Sequence, residues 1–463
     1  MLKALILIVI TILSGTLVQS QTKYKSDWES INSRPIPQWF QDAKFGIFIH
    51  WGLYSVPAWG PTKDVGIYEK YAEWYWYSLS NPRRESHQQF VDFHTRTYGQ
   101  SFQYQDFVDR FTCEMFEPEE WANIFLSSGA KYIVLTSKHH EGFALWPSKH
   151  SWNWNAMDVG PHRDLAGELI HAVRAKGLRM GFYYSLYEWF NPLYHEDVNR
   201  YVDAHMLPQM KDLVNRYQPD VFWPDGEWDH PSEVWRSTEF LAWLYNDSPV
   251  KEKVVVNDRW GKETRSKRGG YYTTEYDLVH GDNASESTID HPWEECRGIG
   301  TSFGFNRNEY LENYSTSEEL VHILIDKVAR GGNLLLNIGP TADGRIPVIM
   351  QQRLKDMGDW LAVNGEAIYG THKWNAGPPI TAESRVLYTT KGKDLYVICR
   401  SFPEESIVVK GVKRPEAVTM MGLNSTIATS YSENRLEIEP PVVTPADNPC
   451  DYAWVFKLTG ALQ

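Results

Sequence analysis

Apolar, β-branched and aromatic residues form short runs between Phe45 and Ile338, and segments with helical spacing separate several of these runs. The predicted strands are Phe45–Ile49, Tyr132–Thr136, Leu178–Tyr184, Asp220–Trp223, Lys253–Val256, Tyr271–Glu275, Ile299–Phe303 and Asn333–Ile338. The predicted helices are Glu117–Ser128, Asp164–Lys176, Thr316–Ala329 and Pro347–Val363, and a glycine follows closely after each. This alternation is typical of parallel strands joined by crossover helices.

These elements predict an α/β fold, a (β/α)8 barrel of the TIM type, with a doubly wound open sheet as the alternative. The longest insertion, Gly52–Thr112, follows the first strand. After Trp374 the pattern changes to short strand-like runs separated by turns, which predict a small antiparallel β-sandwich. The predicted strands there are Val386–Thr390, Leu395–Cys399, Ser406–Val409, Arg435–Ile438 and Trp454–Leu458. We therefore predict a barrel over residues 21–375 and a β-sandwich over residues 376–463.

The amino terminus has the pattern of a secretory signal peptide, which we place at residues 1–20. Lys3 precedes the apolar run Ala4–Leu13, and the small residues Val18 and Ser20 fit a cleavage before Gln21. The competing interpretation is a membrane anchor, but the apolar run is shorter than the roughly 20 residues that span a bilayer. We therefore expect export, to a periplasmic, extracellular or lysosomal destination that depends on the host, with no membrane insertion after cleavage.

Composition excludes some partners and leaves others open. The 46 basic residues against 59 acidic residues give a net charge of −13, and without a basic tract nucleic acid is not expected as a partner. The 20 Trp and 26 Tyr residues suit stacking on sugar rings, although an aromatic-rich core explains them equally well. The four cysteines are far apart, which argues against a zinc knot and a dense disulfide scaffold but leaves one or two disulfides open. Sequons for N-glycosylation begin at Asn246, Asn283, Asn313 and Asn424.

Polar and aromatic residues gather where the predicted strands end. In a barrel the loops after the strands build the active site, so we expect these side chains to converge on one pocket. They occur in the segments His50–Gly52, His139–Glu141, Tyr183–Ser185, Trp223–Gly226, Asn257–Trp260, Glu275, Asn306–Asn308 and Asn337.

Two carboxylates in this set, Asp225 and Glu275, follow directly after strands and have aromatic neighbours. Paired carboxylates suit the cleavage of glycosidic bonds. A separation of about 5–5.5 Å would retain the configuration of the sugar, and one of roughly 6.5–9.5 Å would invert it. The sequence leaves these two outcomes open.

Three other functions are compatible with parts of the sequence. Gly300–Gly304 matches the G-x-S-x-G motif of serine esterases, but the residues that follow do not open a helix. His50, His139, His140 and Asp225 suggest a metal-dependent barrel hydrolase, but adjacent histidines on an extended strand point to opposite sides. A non-enzymatic sugar-binding protein would need the tryptophans but not the matched carboxylates.

Several motifs together resemble the α-L-fucosidases of glycoside hydrolase family 29, over roughly Trp28 to Trp374. They are Phe45–Gly52, Lys138–Phe143, Trp223–Gly226, Val256–Gly261 and Gly331–Pro340. The resemblance implies a catalytic barrel followed by a β-sandwich, with no metal or other cofactor. It also implies a retaining exo-glycosidase that removes terminal α-L-fucose from oligosaccharides or glycoconjugates through a covalent fucosyl-enzyme. Oligomeric state and linkage preference stay open.

The resemblance also assigns roles to individual residues. Asp225 in the W-x-D-G motif takes the role of nucleophile, and Glu275 takes that of acid/base, with Glu286, Glu294 and Glu295 as nearby competitors for the second role. The residues expected to recognise fucose are His50, Glu73, Trp74, His139, His140, Tyr183, Trp223 and Arg259. Imidazoles, a carboxylate and a guanidinium can hold ring hydroxyls, and Trp74 can contact the C6 methyl group of fucose.

Overall fold

The computed structural model describes residues 23–277 and 290–463. Eight parallel strands lie in one curved sheet in the order β5-β4-β3-β2-β1-β8-β7-β6. The strands are β1 (Phe45–Ile49), β2 (Tyr132–Lys138), β3 (Arg179–Ser185), β4 (Val221–Asp225), β5 (Val255–Val256), β6 (Tyr272–Glu275), β7 (Trp293–Gly298) and β8 (Asn333–Ile338). The predicted α/β barrel is confirmed, and the strands are buried on both faces, as expected for a parallel sheet that helices cover.

The two ends of this sheet meet and close the barrel. Asn257, directly after β5, forms a parallel bridge with Tyr271, directly before β6. The backbone N–H of Tyr271 donates a hydrogen bond of 3.1 Å to the carbonyl oxygen of Val256. The loop between β5 and β6 contains no helix, so these two strands are joined without the crossover helix that usually connects parallel strands of a barrel.

Helices connect strands of the barrel, and two of them, Tyr75–Ser80 and His87–Tyr98, lie in the insertion after β1. They are α1 (Trp28–Asn32), α2 (Gln38–Ala43), α3 (Tyr75–Ser80), α4 (His87–Tyr98), α5 (Pro118–Ser127), α6 (Leu165–Ala175), α7 (Pro192–Glu196), α8 (Val198–Tyr201), α9 (Leu207–Tyr217), α10 (Ser237–Asn246), α11 (Ser317–Ala329) and α12 (Val348–Asn364). The predicted helices correspond to α5, α6, α11 and α12. Local sequence fixes their starts, as at α11, where Thr316 and Glu319 form a capping box.

The carboxyl-terminal part consists of antiparallel strands. They are β9 (His372–Lys373), β10 (Val386–Lys391), β11 (Asp394–Cys399), β12 (Ile407–Lys410), β13 (Ala417–Met420), β14 (Thr429–Ser432), β15 (Arg435–Ile438) and β16 (Trp454–Thr459). They form one sheet in the order β13-β16-β11-β10-β9 and another in the order β12-β15-β14. A core with Val397, Leu436 and Phe456 lies among them. Strand β9 precedes position 376, where we place the domain boundary from the sequence.

The predicted seventh strand, Ile299–Phe303, is wrong. The strand is Trp293–Gly298, and the apolar residues after it form a loop. Glu294, Glu295 and Arg297 hid the strand from the hydrophobic pattern. Their partners include Trp223, Thr274 and Asp277, which lie on other segments of the chain.

The structure bears on the cysteines but not on the predicted signal peptide. The signal-peptide prediction lies outside the described residues, and in the described ranges no helix is long and apolar enough to cross a membrane. All four cysteines lie within those ranges as free thiols.

Closure of the barrel requires glycine at position 270. A Cβ atom there would lie 1.7 Å from the carbonyl oxygen of Val256, the acceptor of the closing hydrogen bond. We expect Gly270→Ala to lower the free energy of unfolding by about 3 kcal/mol, measured as a lower midpoint of unfolding in urea. Gly66→Ala is the control, because a Cβ there meets no atom within 4 Å. Equal midpoints for the two variants would contradict this account of closure.

Candidate active site

A cavity of about 560 Å³ opens where the barrel strands end. This is the position expected for the active site of a parallel barrel, and its volume is typical of ligand sites. The ten residues that the resemblance assigns to catalysis or fucose recognition all line this cavity: His50, Glu73, Trp74, His139, His140, Tyr183, Trp223, Asp225, Arg259 and Glu275. The structure therefore brings them together from the insertion after β1 and from six strand ends. The segment Asn306–Asn308 and Asn337, which the strand-end pattern also placed in the pocket, do not line it.

Arg259 lies at the centre of the cavity and bridges the two carboxylates. Its Nη1 donates to Oδ1 of Asp225 at 2.6 Å, and its Nη2 lies 3.4 Å from Oε2 of Glu275. Its Nε donates to the hydroxyl of Thr273 at 3.1 Å. The guanidinium also lies 4.3 Å from the centroid of the Trp223 ring, in a cation–π contact. These contacts fix the planar group in one orientation.

Asp225, the last residue of β4, is surrounded by groups that favour its charged form. Burial alone would raise the pKa of this carboxyl, but the charge and hydrogen bond of Arg259, together with the charge of Arg265, outweigh burial and hold the pKa well below its usual range. The hydroxyl of Tyr183 donates to its Oδ2 at 3.0 Å. Asp225 is therefore a carboxylate at neutral pH, as a nucleophile must be.

Glu275, the last residue of β6, faces the same cavity from the other side of Arg259. The hydroxyl of Tyr71 donates to its Oε1 at 2.9 Å. Tyr71 comes from the insertion after β1, so this long segment completes the site around the second carboxylate. Oε2 makes the weaker of the two contacts with Arg259, which leaves Glu275 less tightly held than Asp225.

The three histidines of the cavity are neutral. Burial lowers the pKa of both His50 and His139 to about 3 and puts the pKa of His140 well below its usual value. Hydrogen bonds fix two of the rings, since Nδ1 of His50 lies 2.7 Å from Oδ1 of Asn337 and Nδ1 of His140 lies 2.6 Å from the hydroxyl of Ser185. Neutral imidazoles can both donate and accept hydrogen bonds, which suits the hydroxyls of a sugar.

Glu73 and Trp74 come from a short helical turn in the insertion. Oε2 of Glu73 accepts hydrogen bonds from the backbone N–H of Gly304 at 2.8 Å and from the hydroxyl of Ser302 at 3.2 Å. Burial raises the pKa of Glu73 to about 7. The Trp74 ring meets His140 edge to face at a centroid distance of 5.1 Å. Ser302, the serine of the esterase-like motif, thus helps to hold a carboxylate and is not placed as a nucleophile.

The competing glutamates differ from Glu275 in their surroundings. Glu286 lies outside the described residues. Glu294 is buried below the cavity, where it accepts hydrogen bonds from Tyr132 and, at 3.0 Å, from Nε1 of Trp223. Glu295 pairs with Arg297 at 2.9 Å. Neither Glu294 nor Glu295 lines the cavity.

Sequence reasoning missed several residues that shape the site. Arg265 lies 3.7 Å from Oδ1 of Asp225 and bonds through Nε to Glu227 at 2.5 Å. Trp228 lies nearly parallel to Trp74, with ring centroids 6.1 Å apart. The only sequence signal for Glu227 and Trp228 is that they directly follow the W-x-D-G motif, and Arg265 lies in a loop with no recognisable pattern. Over the described ranges, the structure shows no group of three or more side chains suited to hold a metal ion.

Two carboxylates bridged by an arginine, in a cavity lined by aromatic rings and neutral histidines at the mouth of a parallel barrel, define a glycoside hydrolase site of the two-carboxylate type. Comparison with known proteins gives the family. Residues 11–366 match the family model described as alpha-L-fucosidase, and residues 381–459 match the alpha-L-fucosidase C-terminal domain. The chain therefore belongs to the α-L-fucosidases of glycoside hydrolase family 29.

Individual relatives agree with this assignment. The chain is 44% identical to the tissue alpha-L-fucosidase of Homo sapiens, over 96% of this chain and 93% of that protein. It is 43% identical to an alpha-L-fucosidase of Branchiostoma floridae, over 99% and 100% of the two chains. Among solved structures, it resembles the α-fucosidase of Thermotoga maritima in complex with fucose, with a TM-score of 0.79, 36% identity and coverage of 94% and 99%.

The neutral histidines predict a pH dependence of stability. In the unfolded chain a histidine has a pKa of about 6.5, whereas His50 has a folded pKa of about 3. Between these values the unfolded state binds a proton that the folded state does not, so stability falls as the pH is lowered from about 6.5 towards 3. We expect His50→Gln to reduce the slope of unfolding free energy against pH in this window by about 1.4 kcal/mol per pH unit, measured by urea unfolding.

The control for this measurement is His372→Gln, which replaces an exposed histidine outside the barrel and should leave the slope unchanged. An unaltered slope for His50→Gln, or an NMR titration of His50 near pH 6.5 in the folded protein, would contradict the assignment of a neutral ring.

Proposed function

We propose that this chain hydrolyses terminal α-L-fucosides with retention of configuration, with Asp225 as nucleophile and Glu275 as acid/base. The observation that carries the proposal is the bridge that Arg259 makes between these two carboxylates inside one cavity. One guanidinium that contacts both carboxylates places them around the same part of the cavity, and retention is the outcome that the family resemblance implies. Membership of the α-L-fucosidase family supports the choice of sugar.

In the first step, the Asp225 carboxylate attacks the anomeric carbon. A bond forms between its oxygen and that carbon, while the bond to the leaving oxygen breaks and Glu275 gives its proton to that oxygen. Arg259, Tyr183 and Arg265 keep Asp225 ionised and aimed before the attack. The product of this step is a covalent fucosyl-enzyme.

In the second step, Glu275, now deprotonated, takes a proton from water. The water oxygen attacks the anomeric carbon, the bond to Asp225 breaks, and fucose leaves with its original anomeric configuration. Tyr71 donates to Oε1 of Glu275, so we assign the exchange of the proton to Oε2, the oxygen that lies 3.4 Å from Arg259.

Recognition of fucose rests on groups of fixed orientation. His50, His139 and His140 offer neutral ring nitrogens to the sugar hydroxyls, and Glu73 offers a carboxyl held by the backbone of Gly304. The face of Trp74 provides an apolar surface for the C6 methyl group. We further propose export of the chain by the signal peptide at residues 1–20, with fucosylated oligosaccharides or glycoconjugates as substrates.

The assignment of the nucleophile predicts the effect of Asp225→Gly. We expect this variant to lower kcat for an aryl α-L-fucoside by on the order of 10³-fold or more, because no covalent intermediate can form. Calorimetry should still detect fucose binding in a folded protein. Added azide should restore turnover and give β-L-fucosyl azide through a single inversion, identified by NMR. Near-normal hydrolysis without azide would contradict the assignment and would favour a different nucleophile.

Glu275→Ala is the matched variant, since it removes the other carboxylate of the same Arg259 bridge. We expect kcat/KM, which reports formation of the covalent intermediate, to fall little for an aryl fucoside, whose leaving group needs little protonation, and by about 10²–10⁴-fold for a natural oligosaccharide. Azide should here give the α-azide, because the covalent intermediate still forms first. Equal losses on both substrates, or a β-azide product, would assign the acid/base role to another residue.

A further inference from the structure

The cavity has an outer region that the proposed fucose contacts do not use. The inner part is lined by buried groups around the catalytic pair, and the whole cavity of about 560 Å³ has room for more than one sugar ring. The outer lining includes Trp228, Lys262, Arg265 and Lys267, from the loops after β4 and β5. Because the aglycone of a fucoside must point out of the cavity, this outer region is where a leaving group would lie.

Trp228 offers a stacking surface in this outer region. It is one of the few large apolar side chains of the described ranges that stay exposed, with 37% of its surface accessible. Its ring lies at 24° to the Trp74 ring with centroids 6.1 Å apart, so the two rings lie next to each other in the lining of the cavity. Aromatic faces of this kind pack on sugar rings through apolar C–H contacts.

The charge of the outer lining is opposite to that of the chain. The whole protein has a net charge of −13, yet Lys262, Arg265 and Lys267 lie together on one loop at the cavity. The two acidic residues among them are already engaged, since Glu227 binds Arg265 and Glu263 accepts hydrogen bonds from Ser232. Lys262 and Lys267 are exposed and have no ion-pair partner within residues 23–277 and 290–463.

Arg265 has an unused donor between these lysines and the nucleophile. Its Nε bonds to Glu227, and its Nη2 lies 3.7 Å from Asp225. Its Nη1 is buried and finds no hydrogen-bond partner among the described residues. Since buried N–H groups are nearly always satisfied, this one fits an oxygen of a bound ligand.

We propose that the outer region is a leaving-group subsite for a sugar that carries an anionic group, a sulfate or a carboxylate. The ring of that sugar stacks on Trp228, Arg265 donates to an oxygen near the bond that breaks, and Lys262 and Lys267 face the anion. This inference rests on the proposed function, because it places the subsite next to the fucose that Asp225 attacks.

The test compares four substrates: α-L-fucosyl fluoride, which has no leaving sugar, a neutral fucosylated disaccharide, and the same disaccharide bearing a sulfate or a carboxylate. We expect kcat/KM at low salt to be about tenfold higher for at least one anionic disaccharide than for the neutral one, with the difference shrinking as NaCl is added. The two anionic substrates show which anion is preferred.

Variants connect this preference to the proposed residues. The double variant Lys262→Gln, Lys267→Gln should remove the preference and leave α-L-fucosyl fluoride and the neutral disaccharide unchanged. Arg268→Gln is the control, because Arg268 is exposed on the same loop but does not line the cavity. Equal rates for charged and neutral disaccharides, or a preference that survives in the double variant, would overturn the subsite. Absence of fluoride hydrolysis by the wild-type protein would instead overturn the proposed function, and the subsite with it.

Discussion

A single buried guanidinium connects the two carboxylates that face each other in this barrel. Arg259 needs them, because a buried cation without partners is costly, and Asp225 needs Arg259, because burial alone would raise the pKa of its carboxyl. The ion pair therefore does more than hold the site together. It also favours the charged form of the Asp225 carboxyl. The Tyr183 hydroxyl donates to Asp225, and Nε of Arg259 donates to the Thr273 hydroxyl, so both members of the pair are held in place.

The barrel supplies the positions that this arrangement requires. Asp225 ends β4, Arg259 follows β5 and Glu275 ends β6, so the three groups come from consecutive strands in sequence. Strands β5 and β6 lie at opposite ends of the hydrogen-bonded order, and only the bridge between Asn257 and Tyr271 brings them side by side. Closure of the barrel thus also brings Glu275 next to Arg259 and Asp225.

Much of this could be predicted from sequence, because chemistry in a barrel is confined to strand ends. His50, Asp225 and Glu275 are visible as polar residues after apolar runs. Strand β7 does not stand out in the sequence because three of its six residues are charged, and the groups that stabilise their burial lie partly on other segments of the chain. Glu73 and Trp74 were predicted only from the family resemblance, because the sequence of a long insertion does not indicate which of its residues return to the mouth of the barrel. Tyr71 and Arg265 could not be predicted for the same reason. Their partners, Glu275 and Asp225, come close to them only in the folded chain.

The most direct test of the central claim is to trap the covalent intermediate. A 2-deoxy-2-fluoro-α-L-fucosyl fluoride slows both steps, because fluorine at C2 destabilises positive charge at the anomeric carbon, while its good leaving group lets the first step proceed. Proteolysis and mass spectrometry then locate the label. We expect one 2-deoxy-2-fluorofucosyl group per chain, on the carboxyl of Asp225. A label on another residue, or inverted product released without any adduct, would contradict this expectation.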